Sequence, residues 1–382
     1  MSNHGAAVYI DSPIPSAVRQ VAPFYAQDVF SNEMTPLFMR RRPGTAFGLL
    51  PKQGINGVRV TQVGGKVAKK LPVKRGGAVF YAFNGQGNLH TVANRSYKHI
   101  LVLHGESNKR ASARPAARLY DYICVAGDIA IDRYIDGGIF RRADVDEGRL
   151  IQVGDTFVQN LDGYRTDPEG GEAVLYAPTW EGFGGDINNY SSIGFDGLQI
   201  VARAMRIRGL SRVVIRPHPY LGMLKQGLIK QLVRDAVELS RSSQVVFDLS
   251  DANLAVAAAV RLAMLTGAKN ISIKEDIEPV ALCMCDISAM EAICLKERLP
   301  HMIVSRGVKV PKRVEPFYAR KAIKNLGEAP ALLKSYLDEH EQIDDAHRAA
   351  AFSVSHPDLA SPSGSVRFAR LMQIISQNGF WG

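Results

Sequence analysis

Several short apolar runs in this sequence end on a titratable or phosphate-binding side chain, where a strand would give way to a loop. In Ile100-Leu101-Val102-Leu103-His104-Gly105-Glu106-Ser107-Asn108-Lys109 the run stops at Leu103, His104 stands at its tip, and Gly105 lets the backbone turn sharply. A neutral imidazole there can take a proton from an attacking hydroxyl near neutral pH, and Lys109 can hold a phosphate. In Val213-Val214-Ile215-Arg216-Pro217-His218-Pro219 two prolines fix φ on either side of His218 and restrain it at low entropic cost. Arg216 offers a bidentate fork for phosphate, and His218 can add a charged donor.

Cys285-Asp286-Ile287-Ser288-Ala289-Met290-Glu291 leads from an apolar run into a helix. Ser288 and Glu291 fit a capping box, and the same helix start presents free N–H groups to an anion. The stretch Ser361-Pro362-Ser363-Gly364-Ser365, ahead of a last helix over Val366–Ile375, repeats the pattern with Ser363 and Ser365. A further run, Val174–Ala177, leads into Pro178-Thr179-Trp180 and a loop holding Gly182, Gly184 and Gly185. Asp144-Val145-Asp146 follows Arg141-Arg142-Ala143 rather than an apolar strand and reads as a solvated turn. Gly85-Gln86-Gly87 lacks the spacing of a dinucleotide fingerprint.

The elements that would position these residues alternate between short apolar runs and amphipathic stretches. Strands are expected over Ala78–Phe83, Ile100–Leu103, Tyr122–Val125 and Leu150–Val153. A second series covers Ala173–Ala177, Arg212–Ile215, Gln244–Phe247, Ala281–Cys285 and His301–Val304. Helices over Leu198–Arg208 and Leu224–Leu239 fall between them, which predicts βαβ units and parallel sheets. The polar stretch Asp155–Glu172 reads as a linker, dividing the chain into residues 1–160 and 161–382. Open α/β sheets bind ligands beyond the carboxyl ends of their strands, where these motifs fall.

The 382 residues, 46% of them hydrophobic, are enough for two domains, each with its own core. No stretch approaches the roughly 18 apolar residues of a membrane span, and Met1–Pro15 has no signal-peptide pattern, so a cytoplasmic location is expected. Cys124, Cys283, Cys285 and Cys294 suggest core thiols rather than disulfides or a metal site. Lys and Arg total 47 against 37 Asp and Glu, a net charge of +10 that favours acidic partners. The charge is densest at Arg40-Arg41-Arg42 and across Lys66, Lys69, Lys70, Lys74 and Arg75. Those runs lack interleaved aromatics, which argues against nucleic acid and leaves a polyanionic acceptor or an anionic membrane surface.

In order, the motifs resemble those of the CDP-glycerol glycerophosphotransferase family, the teichoic-acid and related capsule polymerases. The matching residues are His104-Gly105 with Lys109, Tyr120-Asp121, Pro178-Thr179-Trp180, Arg216 with His218-Pro219, Asp286 with Ser288, and Ser363 to Ser365. The chain differs from the family's pattern in having Glu106-Ser107 in place of Thr-Pro. It also has Asp286-Ile287-Ser288-Ala289 in place of D-Y-S-S. The resemblance implies a GT-B architecture, two Rossmann-like domains with parallel sheets facing a central cleft. The last helix would pack back toward the N-terminal, acceptor-side domain.

It further implies transfer of a glycerol-phosphate or ribitol-phosphate unit from a CDP-activated donor to a lipid-linked or polyanionic surface polymer, with no metal and no other cofactor. His104 would be the general base. Arg216 and His218 would bind the donor diphosphate and stabilise the departing CMP, which makes His218 catalytic with His104, and Lys109, Thr179, Asp286, Ser288, Ser363 and Ser365 would complete the phosphate site. Two other functions fit the same residues. One is a GT-B glycosyltransferase using a nucleotide sugar, such as a Kdo-adding capsule enzyme. The other is a non-catalytic protein that binds polyanions or membranes through its basic clusters.

Overall fold

The computed structural model describes residues 4–12, 17–42, 57–109, 112–156, 158–182, 189–305, 307 and 310–377. Gly184 and Gly185 lie outside them. The chain forms two compact units. The first comprises residues 1–106, 113–159 and 350–382, and the second comprises residues 107–112 and 160–349. The segment carrying Lys109 falls in the second unit, and the C-terminal helix falls in the first.

The first unit holds a parallel sheet of seven described strands. They are β1 (His4–Ile10), β2 (Leu37–Arg40), β3 (Val60–Val63), β4 (Val73–Tyr81), β5 (Lys98–Leu101), β6 (Tyr122–Val125) and β7 (Leu150–Gln152), ordered β3-β2-β1-β4-β5-β6-β7. In β1 the run Ala6–Ile10 is wholly buried, as expected of a parallel strand covered on both faces. Strand order reverses between β1 and β4, the position where such sheets open a crevice. The basic residues fall on this framework: Arg40 ends β2, Lys66 and Lys69 lie on the short helix Gly65–Lys69, and Lys74 and Arg75 are in β4.

The helix Gly364–Gln377 packs on this sheet's core, where Phe368 meets Phe30 and Phe80, and Lys98 Nζ donates to the Ile375 carbonyl at 2.9 Å. The segment leading to that helix passes over Gly127. A Cβ there would lie 2.6 Å from the Ala351 oxygen and 2.7 Å from the Ser353 nitrogen. Gly127→Ala is accordingly expected to cost about 1–3 kcal/mol through overpacking, which a thermal melt would register as a drop of several degrees. An unchanged melting temperature would show that the returning segment yields easily.

The second unit holds a parallel sheet of eight described strands. They are β8 (Tyr164–Thr166), β9 (Ala173–Ala177), β10 (Arg212–Ile215), β11 (Gln244–Phe247), β12 (Ile271–Ile273), β13 (Glu278–Cys285), β14 (His301–Val304) and β15 (Ala322–Ile323). The order is β12-β11-β10-β9-β13-β14-β15, with β8 pairing β13. Tyr164–Thr166 is thus a sheet strand, although its surroundings read as linker: Glu278, Pro279 and Val280 supply its register partners. The switch of strand order lies between β9 and β13. A core that includes Val174, Tyr176, Ile215, Phe247 and Met284 packs the sheet against its helices.

Candidate functional site

In the second unit the loops after β9, β10 and β13 carry the residues singled out by sequence. Asp286, fully buried at the end of β13, accepts the backbone N–H of Thr179 at 2.7 Å and of Ser192 at 3.1 Å. It thereby holds the loop after β9 across the switch point. Burial pushes its carboxyl up to about 7, against the pull of those hydrogen bonds and of Lys109. Lys109 Nζ donates to Thr179 Oγ1 at 2.7 Å and lies 5.5 Å from the centre of the Tyr190 ring. Burial brings this ammonium down to about 8. Asn108 anchors the segment, donating from Nδ2 to Glu291 Oε2 at 2.9 Å.

Glu291 does not close the capping box expected of it. The Ser288 hydroxyl accepts from Met290 N at 3.3 Å, but the Glu291 carboxylate takes Asn108 and the Tyr318 hydroxyl instead, the latter at 2.6 Å. The reason is burial: Glu291 is 2% exposed, and a buried carboxylate needs strong donors. Glu291, His301 and His347 bring ligand atoms within 4.8 Å of one another. Lys321 Nζ, however, sits 2.6 Å from His301 Nε2 and 3.1 Å from Asp344 Oδ1, so a side-chain cation already serves this cluster.

After β10, His218 stacks on Trp180 with ring centres 5.8 Å apart and meets Tyr220 at 5.6 Å. Its Nδ1 accepts the Tyr220 backbone N–H at 3.0 Å, so the ring proton of the neutral form sits on Nε2. Burial, and then the charge of Lys109, push the imidazole down to about 3. His218 is therefore a neutral donor, not the charged one expected from sequence. Arg216 turns to carboxylates, Asp251 at 3.2 Å and Asp248 at 4.0 Å, and lies over the Tyr164 ring. Among the described residues Nη1 of its fork has no hydrogen-bond partner.

Glu181, next to Trp180, accepts the N–H groups of Gly222, Leu224 and Lys225 and so ties the loop after β9 to the turn that follows His218. Burial would raise its carboxyl, but these backbone donors prevail and lower it. Asn108, Glu181 and Ser192 carry no motif. The signals for them were only adjacency to Lys109, to the Pro-Thr-Trp stretch and to the glycine loop.

In the first unit His104 follows β5. Its Nδ1 donates to the Ala82 carbonyl at 2.8 Å, which leaves Nε2 as a bare acceptor, and its ring lies 4.6 Å from that of Phe83. Burial lowers its pKa, despite the opposing pull of the carbonyl. Leu103, just before it, holds φ at +62°, a left-handed conformation that costs a non-glycine residue energy and recurs at functional sites. Glu106, where the resembled family has Thr, pairs with the buried Arg133.

The neighbouring strand ends carry Asp11, gripped by Arg40 at 3.1 Å and Arg42 at 2.5 Å, and Asn84, whose buried amide has no hydrogen-bond partner among the described residues. Gly87 makes room for Asp11, since a Cβ there would lie 2.5 Å from its carboxyl carbon. Ser363 and Ser365, expected beside the donor phosphates, belong to this first unit. They are exposed and bond each other through their hydroxyls at 2.9 Å. The motif His104 to Lys109 is likewise divided between the units.

No protein-family model matches the chain, and no curated protein matches it in sequence. Solved structures do match in fold. A Staphylococcus aureus MnaA–UDP co-structure superposes with a TM-score of 0.50 at 11% identity, covering 99% of this chain and 98% of that one. A Listeria monocytogenes crystal structure described as a candidate UDP-N-acetylglucosamine 2-epimerase gives 0.51 at 11% identity, covering 99% and 97%. With the two parallel sheets, the likeness shows a GT-B fold. Among the described residues no helix is long and apolar enough to cross a membrane.

Proposed function

We propose that this protein is a GT-B transferase whose second unit binds a nucleotide sugar through its diphosphate and whose reaction passes the sugar to a hydroxyl. The observation that carries this reading is the convergence of Lys109, Thr179, neutral His218 and the helix start at Ser288 on strand ends around one switch point. A cation, a hydroxyl, an Nε2–H and helix N–H groups are what a diphosphate takes. The half-buried Trp180 offers a ring face nearby. Support for a sugar donor comes from the fold neighbours, one solved with UDP and one described by a UDP-sugar activity. In this reading His104 is the base for the acceptor hydroxyl, and Arg40 and Arg42 give the acceptor side its positive charge.

A second reading, transfer of an alditol phosphate from a CDP-activated donor, rests on the ordered motifs from His104 to Ser365. The differences from that family fall at Glu106-Ser107 and at Ile287 and Ala289, beside the candidate donor residues, which is why the sugar reading stands first. Thermal shift against UDP-, GDP- and CMP-sugars, CDP-glycerol and CDP-ribitol, followed by labelled transfer, separates the two. Sugar transfer without phosphate establishes the first, and transfer of labelled phosphate establishes the second. Isomerised nucleotide sugar with no acceptor needed would point to an epimerase. Stabilisation by none of the nucleotides would leave the polyanion-binding alternative.

The Arg216–carboxylate contacts give a further expectation. His218→Ala should weaken nucleotide binding by roughly tenfold, the scale of one hydrogen bond to a charged group. Arg216→Ala should change affinity less than that and lower the melting temperature instead, because it leaves Asp251 with one donor fewer and Asp248 without its neighbouring charge. Calorimetry and a melt on both variants check this; equal losses of affinity would put the Arg216 fork on the donor.

A further inference from the structure

The helix Leu254–Leu265 (LAVAAAVRLAML) is apolar nearly all round, a composition that ordinarily belongs in a protein interior. Only one side of it is buried, through Val256, Ala257, Val260 and Ala263. On the other, Leu254 is 88% exposed, Leu265 85% and Leu262 61%. At 100° per residue these three fall on one face, with Arg261 among them. The apolar surface extends beyond the helix. Asn253, which caps it by accepting from Val256 N at 3.1 Å, also donates to the carbonyls of Pro219 and Leu221 at 3.0 and 2.9 Å. That fastens alongside it the turn carrying Met223 and Leu224, both more than half exposed. Single exposed apolar residues are ordinary, but three leucines on one helix face, with an apolar turn tied to the helix's N-terminal cap, mark a surface that something covers.

Charge says what covers it. Between residues 223 and 274 each carboxylate is engaged inside the chain: Asp235 by Gln231, Glu238 by Arg241, Asp248 by Tyr164 and Asp251 by Arg216. The exposed cations Lys230, Arg261 and Lys269 have no carboxylate partner among the described residues. A second copy of the chain would fit poorly. A two-fold contact would bring Arg261 toward its own copy, and the helix carries no acid to meet it. We infer that this face rests on an anionic lipid bilayer. Leu254, Leu262, Leu265, Met223 and Leu224 sink into the headgroup boundary, while Lys230, Arg261 and Lys269 stay at the lipid phosphates. The surface adjoins the turn after His218, so the candidate nucleotide residues of this unit would stand near the lipid. The inference does not depend on which donor is used.

The test is co-sedimentation of the whole chain with vesicles of equimolar phosphatidylglycerol and phosphatidylcholine, against phosphatidylcholine alone, across a salt series. Binding to the anionic vesicles that weakens with salt is expected, with little to the neutral ones. The triple variant Leu254→Gln, Leu262→Gln, Leu265→Gln keeps good helix formers on an exposed face and should lose at least about tenfold in vesicle affinity. Arg261→Glu with Lys269→Glu should do the same without touching the leucines, so a fault in one variant's folding does not decide the matter. No binding by the wild type, or binding that both variants retain, overturns the inference. So does loss of binding only on reversing Lys66, Lys69, Lys70 and Lys74, which would put the contact on the first unit. Light scattering that shows a wild-type dimer turned monomeric by the glutamines would overturn it in favour of a self-interface.

Discussion

Replacing His104 with alanine is expected to cut turnover by at least ~100-fold while leaving nucleotide affinity unchanged, because a lost general base acts on the chemical step. The geometry makes the expectation specific. The Ala82 carbonyl holds the proton on Nδ1, so Nε2 keeps its lone pair without a change of tautomer. Burial keeps the imidazole's pKa below the ordinary histidine value of 6.5, so the neutral base is the populated form at neutral pH. At saturating donor, the acid limb that His104 sets should therefore lie below pH 6.5. His104→Gln, which keeps a donor for Ala82 but no base, should be as slow as the alanine variant. A glutamine variant that turns over normally would make His104 a structural strand end.

Much of this arrangement was legible in the sequence, and the failures have physical causes. The strands Tyr122–Val125, Ala173–Ala177, Arg212–Ile215 and Gln244–Phe247 fall where continuous apolar runs put them, because a strand covered on both faces has no polar residue to interrupt the signal. The apolar-run reading places no strand at β1 to β3, β12 or β15, and it reads β8 as linker. Val60–Val63 and Tyr164–Thr166 are short and part polar, so they leave no such run. A strand end was readable where an apolar run met a motif, as at Asp286 directly after β13.

Orientation was not readable in the same way. Nothing in Arg-Pro-His-Pro says that Arg216 would face Asp248 and Asp251, since those partners come from a strand end some thirty residues on. Ser288-x-x-Glu291 is a sound local reading that tertiary packing overrides, because Asn108 and Tyr318 reach the same carboxylate. Spacing along the chain also could not show that Ser363 and Ser365 fold with the first unit: that depends on Phe368 finding Phe30 and Phe80.

Lys109 carries the largest expected effect on binding. Lys109→Ala should weaken nucleoside diphosphate affinity by about 10- to 100-fold, since a charge-assisted bond contributes roughly 1.5–3 kcal/mol and each 1.4 kcal/mol is a factor of ten. The ammonium titrates near 8 because burial disfavours its charge, and the nearby Asp286 only partly offsets that. A lysine whose pKa is depressed holds phosphate while protonated and releases it as pH rises. Affinity in the wild type should thus be steady at neutral pH and fall as pH passes through about 8. Lys109→Arg should keep moderate affinity and lose the fall, because a guanidinium stays charged throughout this range. Asn108→Ala gives an independent check. It removes the bond to Glu291 that fixes the segment, so Lys109 gains solvent and the alkaline fall should move up toward the ordinary lysine value of about 10.4. Calorimetric titrations with UDP and CDP from neutral to alkaline pH read all three variants. A wild-type affinity that stays level through pH 9, or an alanine variant that binds as tightly as the parent, would remove Lys109 from the phosphate and leave it as a strut for Thr179.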